Sequence, residues 1–447
     1  MCGFRSGLRV ALLWLFALWP AAAQTRPAVL LISIDSLMPG YVLQADRYRL
    51  HIPNLRRLAE EGTYAAGVKG VVPTVTYPSH TTILSGVSPA RHGIYSNHPF
   101  DPLGKNLDGW YWYTEDVKVP TLWDIVSAAG LLAVNVDWPV SVGARAAFNI
   151  PQVWRAGAED DRKLIRALST PLLRDLEQEL GPYAEGSNED VAGDERRARF
   201  AVRLLELKKP NFMTVYFTGL DTEQHKSGPF SPESVAVLER IDALVGLLRA
   251  AAEGASGGRA VICVVSDHGM VRTDKSVNLV SAFRSAGLMT LDDDGKVKAW
   301  SAAPWSNGGS AAIMLREPAN RGTLLNVRRL LDRLASDPSS GILRVLDGGE
   351  LRAMGGFPEA AFLIDLKPGY RIVSGGQGPL VSAAKPAGTH GYLPSLAQMN
   401  ACFFLAGPGI PRRALGEIDM RSIAPTLARL LGLQIPTAEG RDLLAPD

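Results

Sequence analysis

Short apolar runs alternate with longer stretches of helical periodicity along this chain. Ala28–Ile34 (AVLLISI) is β-branched-rich and apolar at nearly every position, the signature of a strand covered on both faces. Leu131–Val136, Phe212–Phe217, Ala260–Val265 and Ala401–Ala406 follow the same pattern. Between them the spacing predicts helices. Ile52–Glu61 has Pro53 in its first turn and Gly62 past its end, a common start and stop pair. Further helices are predicted at Pro78–Ser85, at Thr121–Ala129 (closed by Gly130), and at Asp194–Leu207, Ser234–Ala252 and Ser422–Leu431. This alternation predicts an α/β fold with a mostly parallel central sheet and helices on both faces. Two stretches interrupt it. Residues 151–193 read as polar and irregular, and residues 280–385, with their own helix at Leu324–Ser336, read as a small α+β insertion capping the C-terminal edge of the sheet.

The N-terminus differs in kind. Arg5 and Arg9 precede an apolar run from Val10 to Pro20, and Ala21-Ala22-Ala23 follows. Charged, apolar and small-residue regions in that order predict a signal peptide over residues 1–23, and hence an exported protein, periplasmic or secreted from a bacterium. The run is short of the roughly 20 residues a membrane span needs, and none is predicted after cleavage. The 447 residues are 46% hydrophobic and 21% charged, with a formal net charge of +2. That balance suits a globular body over residues 27–447 and gives no basic groove for nucleic acid. Cys263 and Cys402 both lie in apolar runs and are expected as buried free thiols.

The candidate chemistry sits at the ends of the predicted strands, where open α/β sheets carry their reactive groups. Asp35 ends the first strand; FTGLDTEQH places Asp221 four residues before His225; VICVVSDHGM ends in adjacent Asp267 and His268; GTHGY sets His390 between glycines. On a helix, a four-residue spacing lets Asp221 and His225 face one ion, and glycines let backbone approach closely. Three carboxylates and three imidazoles are enough to fill two adjacent zinc sites, an arrangement suited to displacement at phosphorus. Thr76, just ahead of Pro78 in VVPTVTYPSHTTILSG, stands at a predicted helix N-terminus. There, free N–H groups favour a phosphate. It is the candidate nucleophile, with Thr74 as competitor. His80 and His92 read as structural.

Together these strings resemble the nucleotide pyrophosphatase/phosphodiesterase family of the alkaline phosphatase superfamily, from about Val29 to the strand after His390 and again in IAPTLARLLGL. The resemblance implies an alkaline phosphatase-like catalytic domain, two zinc ions, and hydrolysis of phosphodiester or phosphoanhydride bonds through a phosphothreonine on Thr76. It implies that Asp35, Thr76, Asp267 and His268 surround one zinc, and that Asp221, His225 and His390 hold the other. It also implies that Asn97 donates to a phosphate oxygen, and that Tyr77 and Tyr216 are the aromatics that hold a small-molecule diester or nucleotide. Ser79 and Leu220 depart from the family's usual asparagine and proline, which bears on substrate preference. No cysteine stands at the nucleophile position, against a sulfatase-like enzyme. An envelope phosphotransferase and a phosphonate hydrolase are the alternative readings within the superfamily.

Overall fold

The structure is a computed structural model that describes residues 28–446 apart from 107–108, 155–157, 186–187, 374 and 376; the expected signal peptide lies outside the described residues. Eight strands form the central sheet in the spatial order Arg413–Asp419, Thr63–Lys69, Phe403–Ala406, Ala260–Val265, Ala28–Ile34, Phe212–Phe217, Ala133–Val136 and Phe148–Ile150. Neighbours pair in parallel except at Phe403–Ala406, which runs antiparallel to both of its partners.

Alternate residues of each central strand feed opposite cores. Leu30, Ile32 and Ile34 point to one side and meet Leu204, Leu205, Ile241 and Leu248 from helices Val191–Lys208 and Pro232–Ser256. Val29 and Leu31 point to the other and meet Ile83, Trp123 and Leu427 from helices Thr76–Ser85, Leu122–Ala128 and Ile423–Leu430. Burial on both faces is what makes these strands read as unbroken apolar runs rather than alternating ones. Cys263 and Cys402 are free and buried within this packing.

The register fixes where the chemistry emerges. Ile34 lies opposite Phe217, and Ser33 lies opposite both Tyr216 and Val265. Three adjacent parallel strands therefore end level, and Asp35, Thr218 and Ser266 leave the sheet at one edge. Between Val265 and Phe403 the chain builds smaller sheets: a four-stranded antiparallel one within residues 302–366, a two-stranded one, and a three-stranded one from Val271–Val277, Tyr370–Ile372 and Val381–Thr389.

Several elements differ from the sequence expectation. Residues 151–193 are not irregular, since they contain helices Ala158–Leu168 and Leu172–Leu180. These are short and rich in charge, with Ile165, Leu173 and Leu176 buried in the core and Leu164, Leu168, Leu172 and Leu180 packed against it. The strands Thr63–Lys69 and Arg413–Asp419 carry polar positions because they close one edge of the sheet. Helix Pro53–Glu61 starts behind Ile52, which offers no side-chain cap, and the buried Asp242 carboxylate of a neighbouring helix accepts from the Asn54 and Leu55 N–H groups instead.

Two predictions follow from this packing. A Cβ on Gly62 would stand 2.0 Å from the Leu405 carbonyl oxygen, so Gly62→Ala is expected to destabilise the fold by about 1–3 kcal/mol, read from urea unfolding; an unchanged midpoint contradicts this. His92 is fully buried beside Thr82, accepts from the Ile94 N–H, and is held down to about 3 by burial. The unfolded chain takes up its proton near 6.5. Between about pH 6.5 and 3 the unfolded state therefore binds more protons, and stability falls as pH falls. His92→Gln is expected to remove about 1.4 kcal/mol per pH unit from that acid slope, measured as unfolding free energy against pH.

Candidate active site

Asp35 follows Ile34 directly at the end of its strand, and Ser36 turns the chain away in the left-handed region at φ 60°. Two donors hold this corner. The Ser36 N–H donates to Asp267 Oδ1 at 3.1 Å, and the Tyr216 hydroxyl donates to Asp35 Oδ2. Burial, with Asp267 and Asp221 nearby, raises the Asp35 carboxyl well above its ordinary value. Asp267 and His268 stand two and three residues beyond Val265 and are both fully buried. His268 Nε2 lies 3.1 Å from Asp267 Oδ2 and 3.5 Å from Asp35 Oδ1, while its Nδ1 sits 3.1 Å from the Gly269 carbonyl. A proton on Nδ1 given to that carbonyl turns the Nε2 lone pair toward the carboxylates, the usual setting of a ligating histidine.

Helix Gly219–Ser227 carries Asp221 and His225 four residues apart on one side. His225 Nε2 lies 3.2 Å from Asp221 Oδ2, and its Nδ1 lies 3.0 Å from the Gly388 carbonyl. Burial opposes the charged imidazole, but Asp221 outweighs it and pushes His225 up to about 9. The Asp221 carboxyl, against its own burial, is held well below the usual range by His225, His390 and His268. His390 stacks on His268 with ring centres 3.8 Å apart. The glycines around His390 serve the protein rather than an ion: a Cβ on Gly388 would meet the Gln224 carbonyl, and one on Gly391 the Asn307 carbonyl.

Five of the six residues come together as two groups that could hold a metal ion, Asp35–Asp267–His268 and Asp221–His268–His390, with His268 shared. His225 adjoins the second group through Asp221. Four buried polar atoms here have no hydrogen-bond partner among the described residues: Asp35 Oδ1, Asp221 Oδ1, Asp267 Oδ2 and His390 Nδ1. Buried polar atoms are normally satisfied, so four orphans in one cluster of hard oxygen and imidazole donors fit divalent cations such as zinc.

Thr76 is the first residue of helix Thr76–Ser85, behind Val75 as N-cap, and its Oγ1 lies 3.4 Å from His268 Nε2. The helix end offers fewer free amides than expected. The Tyr77 N–H donates to Asn97 Oδ1 at 2.9 Å, Pro78 has none, and the Ser79 N–H returns to the Val75 carbonyl. That leaves the Thr76 N–H and the Nδ2 donors of Asn97. Thr74 is committed elsewhere, donating to the Tyr392 carbonyl at 2.7 Å.

Tyr77 and Tyr216, the aromatics the resemblance assigns to substrate, are both buried in this structure. Their exposures are 1% and 2%. Tyr77 gives its hydroxyl to Gln152, and Tyr216 is the donor to Asp35, packed edge-on against His80. Half-buried Trp110 packs beside Tyr77 and against Trp154, whose ring centre is 5.1 Å from its own. His80 also does more than fill space. Its Nδ1 lies 2.8 Å from the Thr76 carbonyl and its Nε2 2.8 Å from Ser33 Oγ, tying the Thr76 helix to the strand that ends in Asp35. The four-residue step from Thr76 to His80 on a helix was the available signal for that tie.

The family described as type I phosphodiesterase/nucleotide pyrophosphatase matches residues 29–393. Human ectonucleotide pyrophosphatase/phosphodiesterase family member 1 is 25% identical over 262 residues, 56% of this chain and 24% of its own length. An uncharacterised pyrophosphatase/phosphodiesterase of Schizosaccharomyces pombe is 29% identical over 252 residues, covering 56% of this chain and 46% of itself. The matched regions thus span less than half the length of these relatives. Murine ectonucleotide pyrophosphatase/phosphodiesterase 5, solved as an inactive form in complex with AMP, shares the fold with a TM-score of 0.66 at 19% identity, over 93% of this chain and 97% of that one. The chain belongs to the type I phosphodiesterase/nucleotide pyrophosphatase family.

Proposed function

We propose that this protein is an exported phosphodiesterase/nucleotide pyrophosphatase that hydrolyses phosphodiester or phosphoanhydride bonds through a phosphothreonine on Thr76. The observation that carries this reading is the position of the Thr76 hydroxyl, at a helix end and beside two groups of metal-binding side chains whose polar atoms are otherwise unsatisfied. Asp35, Asp267 and His268 would hold one zinc, and Asp221, His390 and His225 the other. Bound there, the pair would supply concentrated positive charge to a phosphoryl group in transfer.

The chain's own residues supply the rest. Thr76 Oγ1 attacks phosphorus, the leaving oxygen departs on the opposite side, and water later releases the phosphoryl group from threonine. Asn97, with Oδ1 committed to the Tyr77 N–H, is oriented so that Nδ2 donates to a non-bridging oxygen, and the Thr76 N–H adds a second donor. Tyr216 fixes Asp35, and His80 fixes the helix that presents Thr76. Trp110 and Trp154 give a planar substituent a surface beside the phosphate. The AMP held by the murine relative supports a nucleotide as that substituent. Export rests on the charged, apolar and small-residue order of residues 5–23.

Thr76→Ala is expected to lower hydrolysis of the p-nitrophenyl ester of thymidine 5′-monophosphate by on the order of 10³-fold or more, with bound zinc unchanged. Chelation is expected to abolish wild-type activity, and added zinc to restore it. Near-wild-type turnover by Thr76→Ala, or full activity in the chelated protein, contradicts the assignment.

A further inference from the structure

A second buried charge cluster lies behind the site, and no step above uses it. Arg197, on helix Val191–Lys208, is fully buried. Its Nε lies 2.7 Å from Asp137 Oδ2, and one terminal nitrogen lies 2.5 Å from Asp194 Oδ1, one turn earlier on the same helix. The Tyr183 hydroxyl donates to the other oxygen of Asp137 at 3.0 Å. A buried cation held this way costs desolvation and is weak evidence for stability as such, so its placement needs a separate reason.

The reason lies in what Asp194 touches. Its two oxygens accept from the N–H groups of Thr218 and Gly219, each at 2.9 Å. Those are the N-cap and first residue of helix Gly219–Ser227, which carries Asp221 and His225. The Thr218 side chain does not cap its own helix; it accepts from Arg197 at 3.1 Å instead. The cap is therefore supplied from outside, by a carboxylate that Arg197 locks in place. The approach is so close that a Cβ on Gly219 would stand 2.6 Å from Asp194 Oδ2. Asp35, by contrast, is placed by the ladder of its own strand, and neither it nor Asp267 or His268 touches this cluster.

We propose that Asp194, held by Arg197, is a positioning residue for the second metal alone, setting where Asp221 and His225 stand without touching the ion or the substrate. The proposal rests on the two-zinc reading of the site. Asp35 and Asp267 then hang on parallel strand ends, and Asp221 and His225 on a helix pinned by a buried ion pair, with His268 shared between the two groups.

Calorimetric titration of metal-free full-length protein with zinc tests this. The wild type is expected to take two equivalents, and Asp221→Asn identifies the second. Asp194→Asn is expected to weaken that same equivalent by roughly 10–100-fold and leave the other unchanged, with activity recovering at high zinc. Thr218→Ala, which removes only the Arg197 contact, is expected to weaken the same equivalent less, and serves as the test if Asp194→Asn does not fold. Two equivalents kept at wild-type affinity in both variants overturn the proposal, as does equal weakening of both, which is what a general structural role produces. A wild type that takes a single equivalent overturns the two-zinc reading and the proposal with it.

Discussion

The structure is organised around the burial of like charges. Asp35, Asp221 and Asp267 converge at one edge of the sheet, with His268 and His390 stacked between them. Carboxylates this close repel one another, and burial adds a desolvation cost to each. The protein answers part of that cost with its own donors, the Tyr216 hydroxyl on Asp35 and the Ser36 N–H on Asp267. It leaves lone pairs on all three acids unmatched among the described residues. Only positive charge placed among them completes the balance, and the rigid two-faced sheet behind them keeps the cluster from relaxing apart.

The sheet explains why so much of this was legible. A strand buried on both faces must be apolar throughout, so Ala28–Ile34, Phe212–Phe217 and Ala260–Val265 announce their bounds in the residues themselves. A charged residue within two positions of the end of such a run has nowhere to be but the sheet edge, which marks Asp35 and Asp267. Helix Gly219–Ser227 has no local start signal, because its cap comes from Asp194, 25 positions before Gly219. Long-range capping leaves no local trace, and the same is true of Asp242 beneath Asn54 and Leu55.

Side-chain roles proved harder than positions. An aromatic next to a nucleophile can face substrate or core, and nothing in the string TYP distinguishes them. For Tyr77 the deciding contacts are Gln152, Trp110 and Trp112, all distant in sequence. Tyr216 faces the core because the alternation of its strand puts it opposite Val215 and Phe217, on the side that also receives His80. Strand Arg413–Asp419 at the sheet edge carries too few apolar positions to fix its period, whereas helix Leu172–Leu180 does carry a helical spacing, in Leu172, Leu173, Leu176 and Leu180, set among charged residues.

The proposed chemistry requires two metal positions flanking Thr76. Anomalous diffraction at the zinc absorption edge, from crystals of the zinc-loaded protein, measures them directly. Two peaks are predicted, one among Asp35, Asp267 and His268 and one beside Asp221 and His390, with Thr76 Oγ1 facing both. A single peak, or peaks away from these side chains, would contradict the account.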